Sequence, residues 1–180
     1  MKTLILISLS VALFSCNTGV FDNGKNNKGI TGHSTRKKAL NRSRYYIEYY
    51  SDWRLDTASK LYDADSHFTL YPQPVENGMF TIFVFAEPRD EEKELQRHLA
   101  AQQEKSIKHG AVTYFTQWGA YQGHGASIKG RLRDVWESEI KIFVYSTAEK
   151  SFLITSLCTD SYKDDVLPGL ELIESSFRIK

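Results

Sequence analysis

The sequence predicts an α+β fold: a single antiparallel sheet of about six to seven strands covered by two main helices. Three observations predict it. Segments with two-residue apolar–polar alternation recur through 45–180, while two other segments show helical charge order or helical apolar spacing. The last strands are joined by links too short for a crossover, which makes them antiparallel.

Each element has its own reason. Tyr45–Tyr50 (YYIEYY) is aromatic-rich, as strands are, with Tyr45, Ile47 and Tyr49 on one side. Ser51-Asp52 turns the chain into Trp53-Arg54-Leu55. Ser66–Tyr71 alternates Phe68 and Leu70 against His67 and Thr69 and ends at Pro72. Met79–Ala86 (MFTIFVFA) is apolar on both faces, the mark of a central strand. Pro88–His109 reads as helix: Asp90 caps it, Glu91, Glu92 and Glu94 crowd the first turn, and Lys105, Lys108 and His109 the last. Its apolar stripe is thin (Leu95, Leu99, Ile107), so it should rest on the sheet by one edge.

Ala111–Trp118 follows as a strand with Val112, Tyr114, Thr116 and Trp118 expected on one face. The glycine-studded run Gly119–Arg133 places Ala126, Ile128 and Leu132 inward and Ser127, Lys129, Arg131 and Arg133 outward. A turn near Val135–Ser138 leads to Glu139–Thr147, and Ala148-Glu149-Lys150 turns into Ser151–Thr159. The second helix is expected to begin near Pro168, with Leu170, Ile173 and Phe177 as its seam and Val166 before it.

The N-terminal segment has a different logic. After Met1–Lys2, the stretch Leu4–Phe14 is apolar except for two serines. At 11 residues it is too short to span a bilayer, which takes roughly 20 apolar residues, and suits a signal-peptide core. Leu13-Phe14-Ser15-Cys16 resembles the lipobox of bacterial lipoproteins. That resemblance implies a signal peptide at 1–15, cleavage before Cys16 and acylation of its thiol (palmitate or a similar chain). Each buried CH₂ contributes about 0.8 kcal/mol, so two or three acyl chains anchor a protein stably. Asn17 follows the cysteine where Asp favours inner-membrane retention, which implies the outer membrane.

Residues 16–44 then read as a tether: few large apolar side chains, no periodicity, and too little surface to offset ordering entropy. From 17 to 44 there are seven basic residues against Asp22, a net charge of +6; residues 45–180 carry 15 basic and 21 acidic side chains, a net of −6. An acidic folded part argues against nucleic acid. The basic tether suits either solvation or contact with anionic headgroups.

Within 45–180 a second resemblance is visible. Trp53 near the first strand, the strand ending Phe68-Thr69-Leu70-Tyr71-Pro72, a charged helix in mid-chain, and the closing Ile173…Ser176-Phe177-Arg178 resemble the PsbP-like family. That family takes in the photosystem II extrinsic subunit P and many bacterial envelope lipoproteins. The resemblance implies a non-catalytic accessory or adaptor role and supplies no catalytic residues.

Candidate chemistry is sparse. At 180 residues with two cysteines, the chain is one domain without a disulfide scaffold or a cysteine zinc site. His98 and His109 are the only histidines sharing an element. At helical rise they stand roughly 16 Å apart, too far to share a metal ion. No metal or cofactor site is therefore expected. Gly123-His124-Gly125 admits two readings, a ligand site at His124 or a strand bend that needs the glycines. Cys158 in its apolar strand reads as a buried, inert thiol. Lys129, Arg131 and Arg133 form a cationic row suited to an acidic partner surface, or to cross-strand pairing with Arg133 opposite Glu139. The expected function is a lipid-anchored, non-enzymatic binding module of the bacterial envelope, recruiting another envelope protein. The alternatives are an envelope ligand-binding protein or hydrolase with its site near Gly123–Gly125, and an immunity lipoprotein that neutralises a toxin.

Overall fold

A computed structural model describes residues 34–57, 65–73 and 78–180. The segment read as a signal peptide, Cys16 and the part of the expected tether up to residue 33 lie outside the described residues. The strands are β1 (Lys37–Asn41), β2 (Tyr45–Tyr50), β3 (Trp53–Asp56), β4 (His67–Pro72), β5 (Gly78–Phe85), β6 (Ala111–Trp118), β7 (Tyr121–Leu132), β8 (Trp136–Ser146), β9 (Ser151–Thr159) and β10 (Arg178–Ile179). The helices are α1 (Glu91–Lys105) and α2 (Lys163–Ser176).

The fold is α+β. Seven strands form one antiparallel sheet in the order β3-β4-β5-β9-β8-β7-β6. A second sheet, β1-β2-β10, pairs the chain's early strands with its last. Tyr45–Tyr50 belongs to this small sheet rather than the main one. The strand Lys37–Asn41 moves the start of ordered structure into the segment read as tether. Its charges hid it: Leu40 is buried, but its neighbours in the strand are exposed.

The main sheet is covered on both faces, because β8 and β9 are apolar on both. Ile140, Ile142, Val144 and Leu153 face Leu95 and Leu99 of α1. Phe143, Phe152, Ile154 and Cys158 face Val166 and Ile173 of α2 together with Tyr45 and Ile47 of the small sheet. Fully burying one such aliphatic side chain contributes about 1.5–3 kcal/mol, so both layers hold firmly. Phe177 is fully buried at the centre of an aromatic group, with its ring edge-on to Trp118, Tyr121 and Phe152.

Several element boundaries differ from the sequence reading. α1 is capped as expected, Asp90 accepting from the Lys93 amide at 3.0 Å. It stops at Lys105 because Ile107 turns inward to full burial and His109 takes a positive φ of 56°. α2 starts at Lys163, five residues before Pro168, which lies inside it. A 3-10 turn, Asp160–Tyr162, leads into it. The expected common face of Val112 and Trp118 is broken. The register slips between Phe115 and Gln117, so that Gly123 and His124 together oppose Thr116. Val112 therefore packs on the α1 side and Trp118 on the α2 side.

Candidate functional site: an open groove on the sheet

α2 lies over β9 and β2, not over the outer strands β6, β7 and β8. On its side of the sheet those strands present alternate positions whose opposite neighbours are apolar. Thr113, Ser127 and Lys141 form one cross-strand row, and Ala111, Lys129 and Glu139 the next. The result is a concavity of about 360 Å³ beside α2, lined by Thr113, Phe115, Gln117, Lys129, Lys141 and Glu174, with Trp118, Ser127 and Glu139 between them. Glu174 also fixes its end wall. Its carboxylate accepts from the Gly119 amide at 2.8 Å and ties the β6–β7 turn to α2. Gly119 sits at φ 55°, and a Cβ there would meet the Glu174 carbonyl at 2.8 Å.

The charges in the groove alternate. Glu139 accepts from the Ser127 hydroxyl at 2.5 Å and pairs with Lys129 at 3.7 Å. Arg131, just beyond, donates to Glu137 at 2.9 Å. The cationic row read from sequence is therefore interleaved with glutamates from β8. Arg133 is not opposite Glu139. The turn centres on Asp134, and Arg133 and Asp134 take φ values of 51° and 61° within it. Two residues of positive φ suit the twist of a tight hairpin. Lys141 is exposed and makes no ion pair among the described residues.

Gly123–Gly125 has a packing role. The Phe115 ring lies over Gly125, where a Cβ would approach it to 2.3 Å, and stacks toward Phe143 with centroids 6.1 Å apart. A Cβ on Gly123 would meet the Val144 carbonyl at 2.3 Å. His124 is half-exposed and its Nδ1 lies 2.8 Å from Glu91. The other oxygen of Glu91 accepts from the Ser146 amide at 2.7 Å. His124 thus helps fasten the start of α1 to the sheet and does not line the groove.

Two further groups are buried. Cys158 has its thiol pushed up to about 11 by burial and by Asp160 beside it. On α1, Glu94 and His98 are buried side by side, with His98 Nε2 3.2 Å from the Glu94 carboxylate and Arg97 closing over both. Burial and Arg97 hold the His98 imidazole below its ordinary range. Burial would raise the Glu94 carboxyl, but its hydrogen bond to Arg97 and the surrounding cations bring it below the usual value. Among the described residues no three histidine, cysteine or acidic side chains gather as a metal site, and no helix is long and apolar enough to cross a membrane.

Sequence reasoning found Lys129 and the outward face of β7 but missed Thr113, Phe115, Lys141 and Glu174. The alternation in β8 that exposes Lys141 was readable. The pairing that sets β8 beside β7, and the docking of α2 that brings Glu174 across, were not.

No family model matches the sequence, and no curated protein matches it. Solved structures do. The Ran-binding protein Mog1p of Saccharomyces cerevisiae matches with a TM-score of 0.51 at 7% identity, covering 82% of this chain and 96% of that one. LpqN of Mycobacterium tuberculosis, described as involved in cell envelope biogenesis, matches at 0.48 and 13% identity over 81% and 91%. Cyanobacterial PsbP from Synechocystis matches at 0.47 and 9% identity over 87% and 98%. The chain spans 45% of the length of a further match, from Bacteroides thetaiotaomicron. At these identities the likeness is one of fold alone.

Proposed function

We propose that the chain is a lipid-anchored protein of the bacterial envelope, held at the outer membrane through Cys16. Its folded domain is a non-catalytic module that binds another envelope protein along the β6–β8 groove. The groove carries this reading. It is a preformed, open surface with an aromatic floor and walls of alternating charge. Small-molecule sites are typically enclosed and mostly apolar, whereas protein interfaces combine an aromatic centre with charged, orientation-setting rims. The lining holds no histidine or cysteine, and the Ser127 hydroxyl is engaged by Glu139. The lipobox order of charge, apolar core, Ser15 and Cys16 supports the anchoring. Mog1p, of the same fold, is a Ran-binding protein, an example of this architecture in protein recognition.

The test is site-specific photo-cross-linking in intact cells. A benzophenone side chain at Thr113 should yield a discrete protein adduct, and one at Glu92 on the exposed face of α1 should not. Reversing Lys129 and Lys141 to glutamate should cut the Thr113 adduct by about ten-fold, the equivalent of roughly 1.4 kcal/mol. Lys141→Glu alone should leave thermal stability within about 0.5 kcal/mol, whereas Lys129→Glu also sets a like charge opposite Glu139 and lowers it somewhat more. Equal adducts from both faces, or indifference to the charge reversal, would remove the groove from the account.

A further inference from the structure

We infer that the β7–β8 hairpin tip is a membrane-contact device: Val135 and Trp136 insert among the headgroups of an anionic phospholipid bilayer, with the cations around them holding the tip there. The inference rests on the lipid-anchored reading above. Val135 and Trp136 are 64% and 48% exposed, whereas Trp53 and Trp118 are buried at 3% and 6%. A tryptophan left half in solvent at the point of a hairpin adds little to the core, and its amphipathic ring suits the membrane interface.

On the α1 side the surroundings are basic. The Arg133 amide donates to the Ser106 carbonyl at 2.9 Å, which brings the end of α1 against the tip. Lys105 and Lys108, both exposed, flank that contact. Ile107 between them is anchored beneath Gly130, where a Cβ would meet it at 2.8 Å. Arg131 and Arg133 come from the hairpin itself. Of the acidic groups on the hairpin and the end of α1, Glu137 is paired with Arg131, leaving Asp134 in the turn and Glu104 on α1. The α1 side of the tip is therefore basic, although residues 45–180 together carry a net charge of −6 and β9, paired through Thr159 with Ser138, leads into Asp160 on the other side.

The topology brings the chain into the domain at this end. An unbroken row of partners, Leu55, Leu70, Phe80, Ser156, Lys141, Ser127 and Thr113, crosses all seven strands. The hairpin tip and the start of β3 lie on the same side of that row. Ser34 is fastened there, its amide donating to Asp52 at 3.2 Å and its hydroxyl 2.7 Å from that of Ser51. From β3 to β8 is four inter-strand steps, roughly 19 Å. Cys16 precedes Ser34 by 18 residues, so an acylated Cys16 keeps Ser34 within roughly 65 Å of the bilayer. The chain thus enters the domain at the end from which the Val-Trp tip projects.

The experiment uses the acylated full chain reconstituted into phosphatidylethanolamine–phosphatidylglycerol vesicles with brominated acyl chains. Flotation reads the anchor, and tryptophan emission reads the tip. The expected result is a blue shift and loss of the solvent-exposed emission component. Both should disappear in Trp136→Phe and diminish in Lys105→Gln with Lys108→Gln, while all variants still float. A chain that floats with Trp136 unquenched by the lipid and still quenched by aqueous acrylamide would overturn the tip and leave the anchor standing. A chain that does not float would overturn both.

Discussion

Phe177→Ala is expected to lower the unfolding free energy by about 3–5 kcal/mol, the range for removing a fully buried aromatic ring. Phe177 closes α2 and is 1% exposed. Its ring is edge-on to Trp118 at 5.3 Å, Tyr121 at 5.5 Å and Phe152 at 6.0 Å, and stacked with Tyr45 at 6.5 Å. These partners come from both sheets and from the β6–β7 turn, so the ring joins every layer on that side. They are large and themselves packed, and cannot close the space it leaves. Urea denaturation of the variant measures the loss. Phe115→Ala is the comparison: Phe115 is half-buried at the sheet edge and should cost clearly less. If the two losses were equal, Phe177 would not be the centre of the core.

Gly169→Ala should also destabilise, against the trend of helix propensity. In an open helix, alanine in place of glycine gains about 1 kcal/mol. Gly169 is buried in α2, and a Cβ there would approach the Trp53 indole at 2.3 to 2.8 Å. Trp53 is 3% exposed and enclosed by the core on its other sides. Overpacking of this kind costs about 1–3 kcal/mol, so the net sign is a loss. A double variant with Trp53→Leu separates the causes. With the indole gone, the alanine should become neutral or stabilising relative to Trp53→Leu alone. A gain in stability from Gly169→Ala by itself would mean that the indole does not lie against this helix.

These two sites show what the sequence made legible. Ile173 and Phe177 were readable as a helix seam from their spacing, and Asp90 as a cap from the acidic turn behind it. β5 declared itself through apolar residues on both faces, and β8 and β9 through the short hairpin turn between them. Gly169 gave no sign, because its reason is an indole more than a hundred positions earlier in the chain. The start of α2 was misplaced for a related cause: Pro168 is a good first-turn residue, but burial of Val166 draws the helix back to Lys163. β1 was hidden because an edge strand of a two-layer corner needs only one buried side chain, Leu40.

The groove was half legible. Alternation on β7 put Ser127, Lys129 and Arg131 on one face, which is where they lie. Their glutamate partners depended on a turn read near Val135–Ser138, whereas it centres on Asp134. The glycines around His124 admitted a ligand site beside the strand bend that the sequence favoured. Only the position of the Phe115 ring over Gly125 distinguishes the two, and it is fixed by strand pairing rather than by local sequence.

Placement of the domain at a membrane is the claim on which the functional reading turns, and mass spectrometry of the protein recovered from its native membrane tests it most directly. The account predicts an N-terminal peptide that begins at Cys16 and carries a diacylglyceryl thioether, with no trace of the preceding 15 residues. A mature chain that begins elsewhere, or one with an unmodified thiol at Cys16, would contradict it.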